Sequence, residues 1–270
     1  MLAVFLVFLF VIGAILGSFL CCQVRRLHLR ETKSSKSRQT LGNRSVCLSC
    51  KYQLKWYDNL PIISWLILKG KCRQCGKKIG LTEILSELGV GLALLIIGTT
   101  INPLTATPLA WATFLVLVIL TLTLSFLAIY DGAYGELPSS CLTISIICAI
   151  ILLILKTWTS FSFETFSFKI LLDPLFAVLI LAGLYLVLYF VSKGRWVGDG
   201  DWLLALALAL ALGHPWLALV TLFLSNFLAC LIMLPLLKGK HRRKIYFGPF
   251  LVAAFIITYG LSGWLLALVN

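Results

Sequence analysis

Eight stretches of predominantly apolar residues divide this chain of 270 residues, and most of them are about twenty residues long. An α-helix needs roughly 20 such residues to cross the hydrocarbon core of a bilayer. Inside lipid the backbone must satisfy its own hydrogen bonds, so a spanning segment is a helix or part of a closed barrel. The sequence therefore predicts an all-α polytopic membrane protein with about eight transmembrane helices, at residues 1–24, 84–101, 108–130, 139–157, 170–192, 196–212, 215–237 and 248–269.

The stretch from Leu203 to Leu212 alternates Leu and Ala, a period that is typical of a β-strand. Both residues are strong helix formers, and an open strand in lipid would leave its N–H and C=O groups unpaired. We therefore predict a helix here as well.

The Lys and Arg residues lie in a few clusters beside the apolar stretches. Of 23, fourteen lie between Arg25 and Lys78, five between Lys238 and Lys244, and two are Lys193 and Arg195. Basic residues favour the cytoplasmic side of a membrane. Cytoplasmic segments at 25–82, 131–138, 193–201 and 238–247 put 21 of the 23 inside, with both termini outside. A net charge of +13 is also typical of nucleic-acid-binding proteins, but its clustering beside the spans indicates membrane topology instead. We therefore predict a multi-pass protein of the plasma or inner membrane, held in the lipid bilayer, with no nucleic-acid partner.

Four of the nine cysteines form two pairs with two residues between the members of each pair. Two such pairs about twenty residues apart match the spacing of a four-thiolate zinc site. The alternative is two disulfides or unrelated thiols, and a reducing cytoplasmic loop disfavours disulfides. We predict a structural zinc ion that lets the small basic loop fold around a zinc knuckle, with the ligands Cys47, Cys50, Cys72 and Cys75.

Two sets of acidic residues are expected at the cytoplasmic ends of the spans. Asp131 lies at the end of the third predicted span, and the string Gly198-Asp199-Gly200-Asp201 lies at the start of the sixth. Acids near lipid usually persist because they do chemistry, carry ions or pair with another group. Two nearby carboxylates can share a proton, one acting as base toward water and the other as acid toward a carbonyl. The alternatives are that the string is an ordinary turn and that both acids only cap helices.

Several motifs, in order along the chain, resemble those of the type IV prepilin peptidases, from about residue 10 to about residue 255. The residues are Gly17-Ser18-Phe19-Leu20, the two cysteine pairs around residues 56–65, Gly70–Gly76, Glu87, Asp131 with Leu137-Pro138, Gly198-x-Gly200-Asp201, and Tyr246-Phe247-Gly248-Pro249-Phe250-Leu251. Three positions depart from the family's usual residues: Cys21 in place of Asn, Ser139 in place of an acid, and Leu203 in place of Lys.

The resemblance implies a membrane aspartyl endopeptidase that removes the leader of prepilin-like precursors (type IV pilins, pseudopilins or competence proteins) at the cytoplasmic face. It implies Asp131 and Asp201 as the catalytic pair, with Gly198, Asp199 and Gly200 as supporting motif residues. It also implies methylation of the new N-terminus with S-adenosylmethionine. The expected domains are a first transmembrane helix (1–24), the basic zinc loop (25–82) and a seven-helix membrane peptidase domain (83–270).

Two other classes of function remain as alternatives. A polytopic transporter with a zinc-stabilised loop would use acids as a proton relay, but such acids are expected near the middle of the bilayer. A docking protein would use the basic loop to hold anionic lipid or a partner. It would not need either aspartate.

Overall fold

A computed structural model describes residues 1–32, 46–47, 49–50, 52–160, 168–195, 197–237 and 246–269. The described chain is helical without β-strands, and two isolated β-bridges occur in the loop that carries the cysteines. It divides into two compact units, Met1–Gly98 and Thr99–Asn270. The predicted fold class, an all-α membrane protein with a four-cysteine loop, is confirmed.

The first unit pairs two long helices, α1 (Leu2–Thr32) and α3 (Leu81–Gly98). A β-carbon added to Gly17 would lie 2.5 Å from the carbonyl oxygen of Ser86, and one added to Gly13 would lie 2.8 Å from the Cα of Gly91. The two glycines are four residues apart, so they form one small-residue stripe that lets the two backbones touch, as in many membrane helix pairs. Between these helices lie a 3-10 helix (Trp56–Asn59) and the short α2 (Ile63–Ile67).

The second unit contains α4 to α11, and its helices pack around the short α8. In chain order they are α4 (Pro108–Tyr134), α5 (Ser139–Ser160), α6 (Lys169–Val178), a π-helical turn (Leu179–Gly183), α7 (Leu184–Ser192), α8 (Asp199–Leu212), α9 (Pro215–Leu237), α10 (Gly248–Gly260) and α11 (Ser262–Ala267). Along α8, Leu204, Ala205, Ala207, Leu208, Ala209 and Ala211 are fully buried. The run that alternates Leu and Ala is a helix, as predicted, and its small residues let neighbouring helices surround it.

Six helices are long and apolar enough to cross a membrane: Leu2–Glu31, Leu81–Gly98, Pro108–Tyr134, Ser139–Trp158, Leu171–Ser192 and Pro215–Ile232. The two other predicted spans are shorter helices. The stretch 196–212 forms α8, whose 14 residues run from Asp199 to Leu212. The next residue, Gly213, has the left-handed backbone conformation and ends the helix. The stretch 248–269 is divided into α10 and α11. The basic cluster Lys238–Lys244 and residues 33–45 of the basic loop lie outside the described residues.

Candidate active site and metal centre

Asp131 lies in the last turn of α4 and is almost completely buried, with 5% of its surface exposed. Its Oδ2 accepts a hydrogen bond of 2.9 Å from the backbone N–H of Gly248, the first residue of α10. Helix N-termini present unpaired N–H groups and favour negative charge, so α10 stabilises the carboxylate form of this side chain. A β-carbon at position 248 would lie 2.7 Å from Oδ2, so the close approach requires glycine.

The segment before α10 packs on the end of α4. Gly135 ends α4 in the left-handed conformation, with φ of +72°, and its N–H donates to the backbone oxygen of Asp131. A β-carbon at Gly135 would overlap the ring of Tyr246, so only glycine fits at this position. The ring of Tyr246 therefore covers the turn that follows Asp131, which aligns Gly248 with the carboxylate.

Asp201 lies in the first turn of α8 and closes a reciprocal pair of contacts with Gly198. The N–H of Gly198 donates to Asp201 Oδ2 at 3.0 Å, and the N–H of Asp201 donates to the oxygen of Gly198 at 3.3 Å. Asp199 is exposed, whereas Asp201 is half-buried. The Gly/Asp string is therefore a helix start, and its third and fourth residues face the protein interior more than the first two.

Gly200 explains how two acids 70 positions apart in the sequence come together. A β-carbon at Gly200 would lie 2.8 Å from both Cβ and Cδ1 of Leu137, which belongs to the connection after α4. The start of α8 thus packs directly on the segment that follows Asp131. The carboxylates of Asp131 and Asp201 are close enough to interact electrostatically.

This arrangement suits acid–base chemistry. Within the described part of the chain, hydrogen bonds reach only Oδ2 of each carboxylate. Each Oδ1 can therefore accept a hydrogen bond from water or from a substrate. Two like charges held near each other and away from bulk water favour a state in which the pair carries one proton. Both acids do contact helix N-termini, as the capping alternative predicted, but capping occupies one oxygen of each.

The four predicted metal ligands also come together. The sulfur atoms of Cys47, Cys50, Cys72 and Cys75 all lie within 4.8 Å of one another. The Sγ–Sγ distances are 3.9 Å for Cys47 and Cys75 and 4.0 Å for Cys50 and Cys72. A tetrahedral zinc ion with Zn–S bonds of about 2.3 Å requires sulfur separations of about 3.8 Å. A disulfide would need about 2.05 Å. The four thiols fit a tetrahedral metal ion and form no disulfide.

Two hairpins with the same geometry carry the two cysteine pairs. The bridge Val46–Gln53 encloses the first pair, and the bridge Lys71–Lys78, 25 positions later, encloses the second. In each hairpin the N–H of the first cysteine donates to the residue five positions on, at 2.9 Å for Cys47 and 2.8 Å for Cys72. The backbone of each hairpin therefore places both sulfur atoms of a pair on the same side. The spacing of two residues between paired cysteines is sufficient to predict this arrangement.

The electrostatics of the cluster favour a cation. The backbone N–H of Cys50, followed by that of Ser49, lowers the pKa of the Cys47 thiol to about 6. The N–H of Tyr52 acts in the same direction on Cys50, but desolvation and the other cysteines raise the pKa of that thiol to about 11. One thiolate thus forms readily, and further thiolates need a positive charge among them.

Glu87, one of the motif residues, faces the cysteine-bearing loop. It is buried in α3, and its Oε2 accepts a hydrogen bond of 2.7 Å from the N–H of Ile62. Ile62 has φ of +63° and ψ of −51°, and the N–H of Ile63 donates to the oxygen of Pro61 at 2.6 Å. This is a γ-turn, a strained conformation for a β-branched residue. The buried carboxylate stabilises it from outside the loop.

The comparisons with known proteins agree in pointing to one family. Residues 11–101 match the family model described as the bacterial peptidase A24 N-terminal domain. The prepilin leader peptidase/N-methyltransferase of Aeromonas hydrophila is 31% identical over 220 residues, which cover 78% of this chain and 69% of that protein. Its counterpart in Aeromonas salmonicida is 29% identical over 92% of this chain and 87% of its own length.

Over a shorter stretch the identity to one relative is higher. The prepilin leader peptidase/N-methyltransferase of Myxococcus xanthus is 41% identical over 88 residues, so the match spans 33% of this chain and only 24% of that relative. No solved structure matches the chain.

Proposed function

Because the chain belongs to the prepilin leader peptidase/N-methyltransferase family, we propose that it is a membrane aspartyl endopeptidase that removes the leader of prepilin-like precursors. The observation that carries this proposal is the pair Asp131 and Asp201. Each is held through one oxygen by a backbone N–H, and the two interact electrostatically. Prepilins are the proposed substrates, since the relatives' name specifies them, and the motif resemblance extends the proposal to pseudopilins and competence proteins.

In the proposed reaction the two carboxylates carry one proton between them. The ionised carboxylate takes a proton from water, whose oxygen attacks the carbonyl carbon of the scissile peptide bond. The protonated carboxyl donates its proton to the carbonyl oxygen, which gives a tetrahedral intermediate. Collapse of this intermediate breaks the C–N bond as the amide nitrogen accepts a proton. The products are the free leader and a mature chain with a new amino terminus.

The proposed cleavage takes place at the cytoplasmic face of the inner membrane. Six membrane-crossing helices make the protein multi-pass. The clusters of Lys and Arg favour a cytoplasmic position for residues 131–138 and 193–201, and these two segments contain Asp131 and Asp201. A cysteine reporter at Glu136 should resist an impermeant thiol reagent applied outside intact cells. Labelling of that reporter from outside would contradict the proposed orientation.

The four-cysteine centre is proposed to bind one structural zinc ion, through Cys47, Cys50, Cys72 and Cys75. Its support is the match of the sulfur separations to tetrahedral zinc. Zinc would supply the positive charge that four neighbouring thiolates require. One zinc per chain by elemental analysis is the expected result, and a metal-free but folded protein would refute it.

A second proposed activity is methylation of the new N-terminus with S-adenosylmethionine, which the relatives' name suggests. Mass spectrometry of the mature product, with S-adenosylmethionine supplied, is the test. A fully cleaved product without the added methyl group would leave the chain a peptidase only.

The catalytic pair is tested by replacing each carboxylate with an amide. Asp131→Asn and Asp201→Asn keep the shape of the side chain but cannot exchange the proton, so each should lower cleavage by about two to four orders of magnitude. The double variant should be scarcely slower than either single one, because the two residues act as one unit. Asp199→Asn is the matched control, since Asp199 is exposed, and it should cleave at near the wild-type rate. A slow Asp199→Asn beside an active Asp201→Asn would refute the assignment.

A further inference from the structure

Tyr185 is a buried tyrosine whose hydroxyl group forms no hydrogen bond of normal geometry within the part of the chain that the structure describes. The residue is 4% exposed, and among the described residues nothing bonds to its hydroxyl oxygen. Two polar side chains of α9, Ser225 and Asn226, interact with the hydroxyl group but do not form a well-aligned hydrogen bond with it. Both donate instead to the backbone oxygen of Leu222, at 2.9 and 2.8 Å. Buried hydroxyl groups are almost always bonded, so an exception calls for an explanation.

The backbone around Tyr185 is also exceptional. The π-helical turn Leu179–Gly183 ends two residues before it. A π-turn inserts one extra residue and rotates the side chains that follow relative to those that precede it, and such turns are often found at functional sites. The turn thus sets the direction in which the Tyr185 ring points.

The ring lies beside the segment that holds Asp131. The ring of Tyr185 packs against the ring of Phe247, with 5.6 Å between centroids. The next residue, Gly248, donates the hydrogen bond to Asp131. The hydroxyl also interacts electrostatically with the carboxylate of Asp201. The Tyr185 ring thus borders the Phe247–Gly248 segment, next to which a peptide must lie to reach Asp131.

We propose that Tyr185 is a further catalytic residue, whose hydroxyl donates a hydrogen bond to the carbonyl oxygen of the scissile peptide bond; this rests on the proposed peptidase function. The carbonyl oxygen gains negative charge as water attacks, and a fixed donor in a site closed to water stabilises that charge. The phenol keeps its own proton throughout. Because the hydroxyl forms no well-aligned hydrogen bond within the described residues, no such bond has to break before it binds the substrate.

Tyr185→Phe tests this directly, because it removes the hydroxyl and keeps the ring against Phe247. Loss of one such donor typically lowers kcat by about a hundredfold or more. We expect kcat to fall by about that factor and KM to stay within about threefold, measured on a detergent-solubilised full chain with a prepilin substrate. The thermal midpoint should not decrease, because the deleted hydroxyl forms no well-aligned hydrogen bond within the described residues.

Tyr259→Phe is the matched control. Tyr259 is buried in α10, eleven residues beyond Gly248, which corresponds to about 16 Å along the helix. Its Phe variant should keep kcat.

Each outcome separates the two proposals. Asp131→Asn and Asp201→Asn that still cleave would refute the peptidase mechanism itself. Inactive aspartate variants beside a Tyr185→Phe enzyme within threefold of wild type would refute only the role of Tyr185. A Tyr185→Phe protein that loses stability together with activity, or fails to fold, would equally refute it, since the hydroxyl would then be structural.

Discussion

Gly248→Ala is the substitution that most directly tests the geometry around Asp131. The added methyl group would lie 2.7 Å from Asp131 Oδ2 and 3.2 Å from its carboxyl carbon. Restoring an ordinary contact of about 3.4 Å requires the carboxyl group or the start of α10 to move by roughly 0.7 Å. Such a shift moves Oδ2 away from the N–H of residue 248 and weakens the hydrogen bond of 2.9 Å that now joins them.

Two independent estimates of the cost agree. A hydrogen bond to a charged group contributes about 1.5–3 kcal/mol, and about 1.4 kcal/mol corresponds to a factor of ten in rate. A catalytic group displaced by about 1 Å can itself lower the rate by about a hundredfold. We therefore expect Gly248→Ala to reduce cleavage by roughly ten- to a hundredfold.

The assay is cleavage of a prepilin substrate by membranes that contain equal amounts of inserted enzyme. Gly132→Ala is the control, because its methyl group would lie 3.5 Å from Pro249 Cγ, an ordinary contact, on the residue next to Asp131. It also favours the helix, since Ala is preferred over Gly by about 1 kcal/mol. A Gly248→Ala enzyme as active as the Gly132→Ala enzyme would show that the N–H of residue 248 does not hold the reactive carboxylate.

Three further predictions concern the first unit. Cys75→Ser should remove a thiolate ligand and bring the zinc content well below one per chain, by elemental analysis; a full equivalent of zinc would contradict the assignment. Acidification should release the metal, because protons compete with zinc for the four thiolates, and a zinc indicator follows the release; full retention at about pH 4 would contradict this competition. Gly17→Ala should lower the thermal midpoint, because its methyl group would lie 2.5 Å from the oxygen of Ser86 on α3 and overpacking costs about 1–3 kcal/mol. Gly89→Ala, with nothing within 4 Å, should leave the midpoint unchanged, and equal effects would contradict the close packing of α1 on α3.

The sequence predicted most reliably what depends on local geometry. Two residues between paired cysteines suffice to turn both sulfurs to one side of a hairpin, so the cluster of Cys47, Cys50, Cys72 and Cys75 could be inferred from spacing. Apolar content and helix propensity likewise predicted the helical fold. The helix of alternating Leu and Ala followed from the cost of an unpaired strand in lipid.

Features that depend on packing between distant segments were not visible in the sequence. The pair Asp131 and Asp201 came from membrane orientation and from the family resemblance, whereas the contact that joins them is the approach of Gly200 to Leu137. Nothing in an apolar run distinguishes Tyr185 from any buried aromatic residue. The role of Gly248 could have been suspected from a glycine just before Pro249 at a helix start, but its partner could not.

The lengths of the last helices show a related limit. Hydropathy measures apolar content, and α8 is apolar because other helices surround it rather than because it faces lipid. Its 14 residues therefore scored as a span. For the same reason a hydropathy profile could not separate α10 from α11, which are separated only by the apolar residue Leu261.

The shortness of α8 has a consequence for how water reaches the reaction. Fourteen residues rise about 21 Å, roughly 9 Å less than the hydrocarbon thickness of about 30 Å. Because longer helices surround it, this difference leaves room for a water-filled depression in the protein beyond one end of the helix or both. Asp201 stands at one of these ends. A short central helix thus allows water to approach the carboxylates from the membrane surface. Hydration of a site within the membrane would then need no dedicated channel.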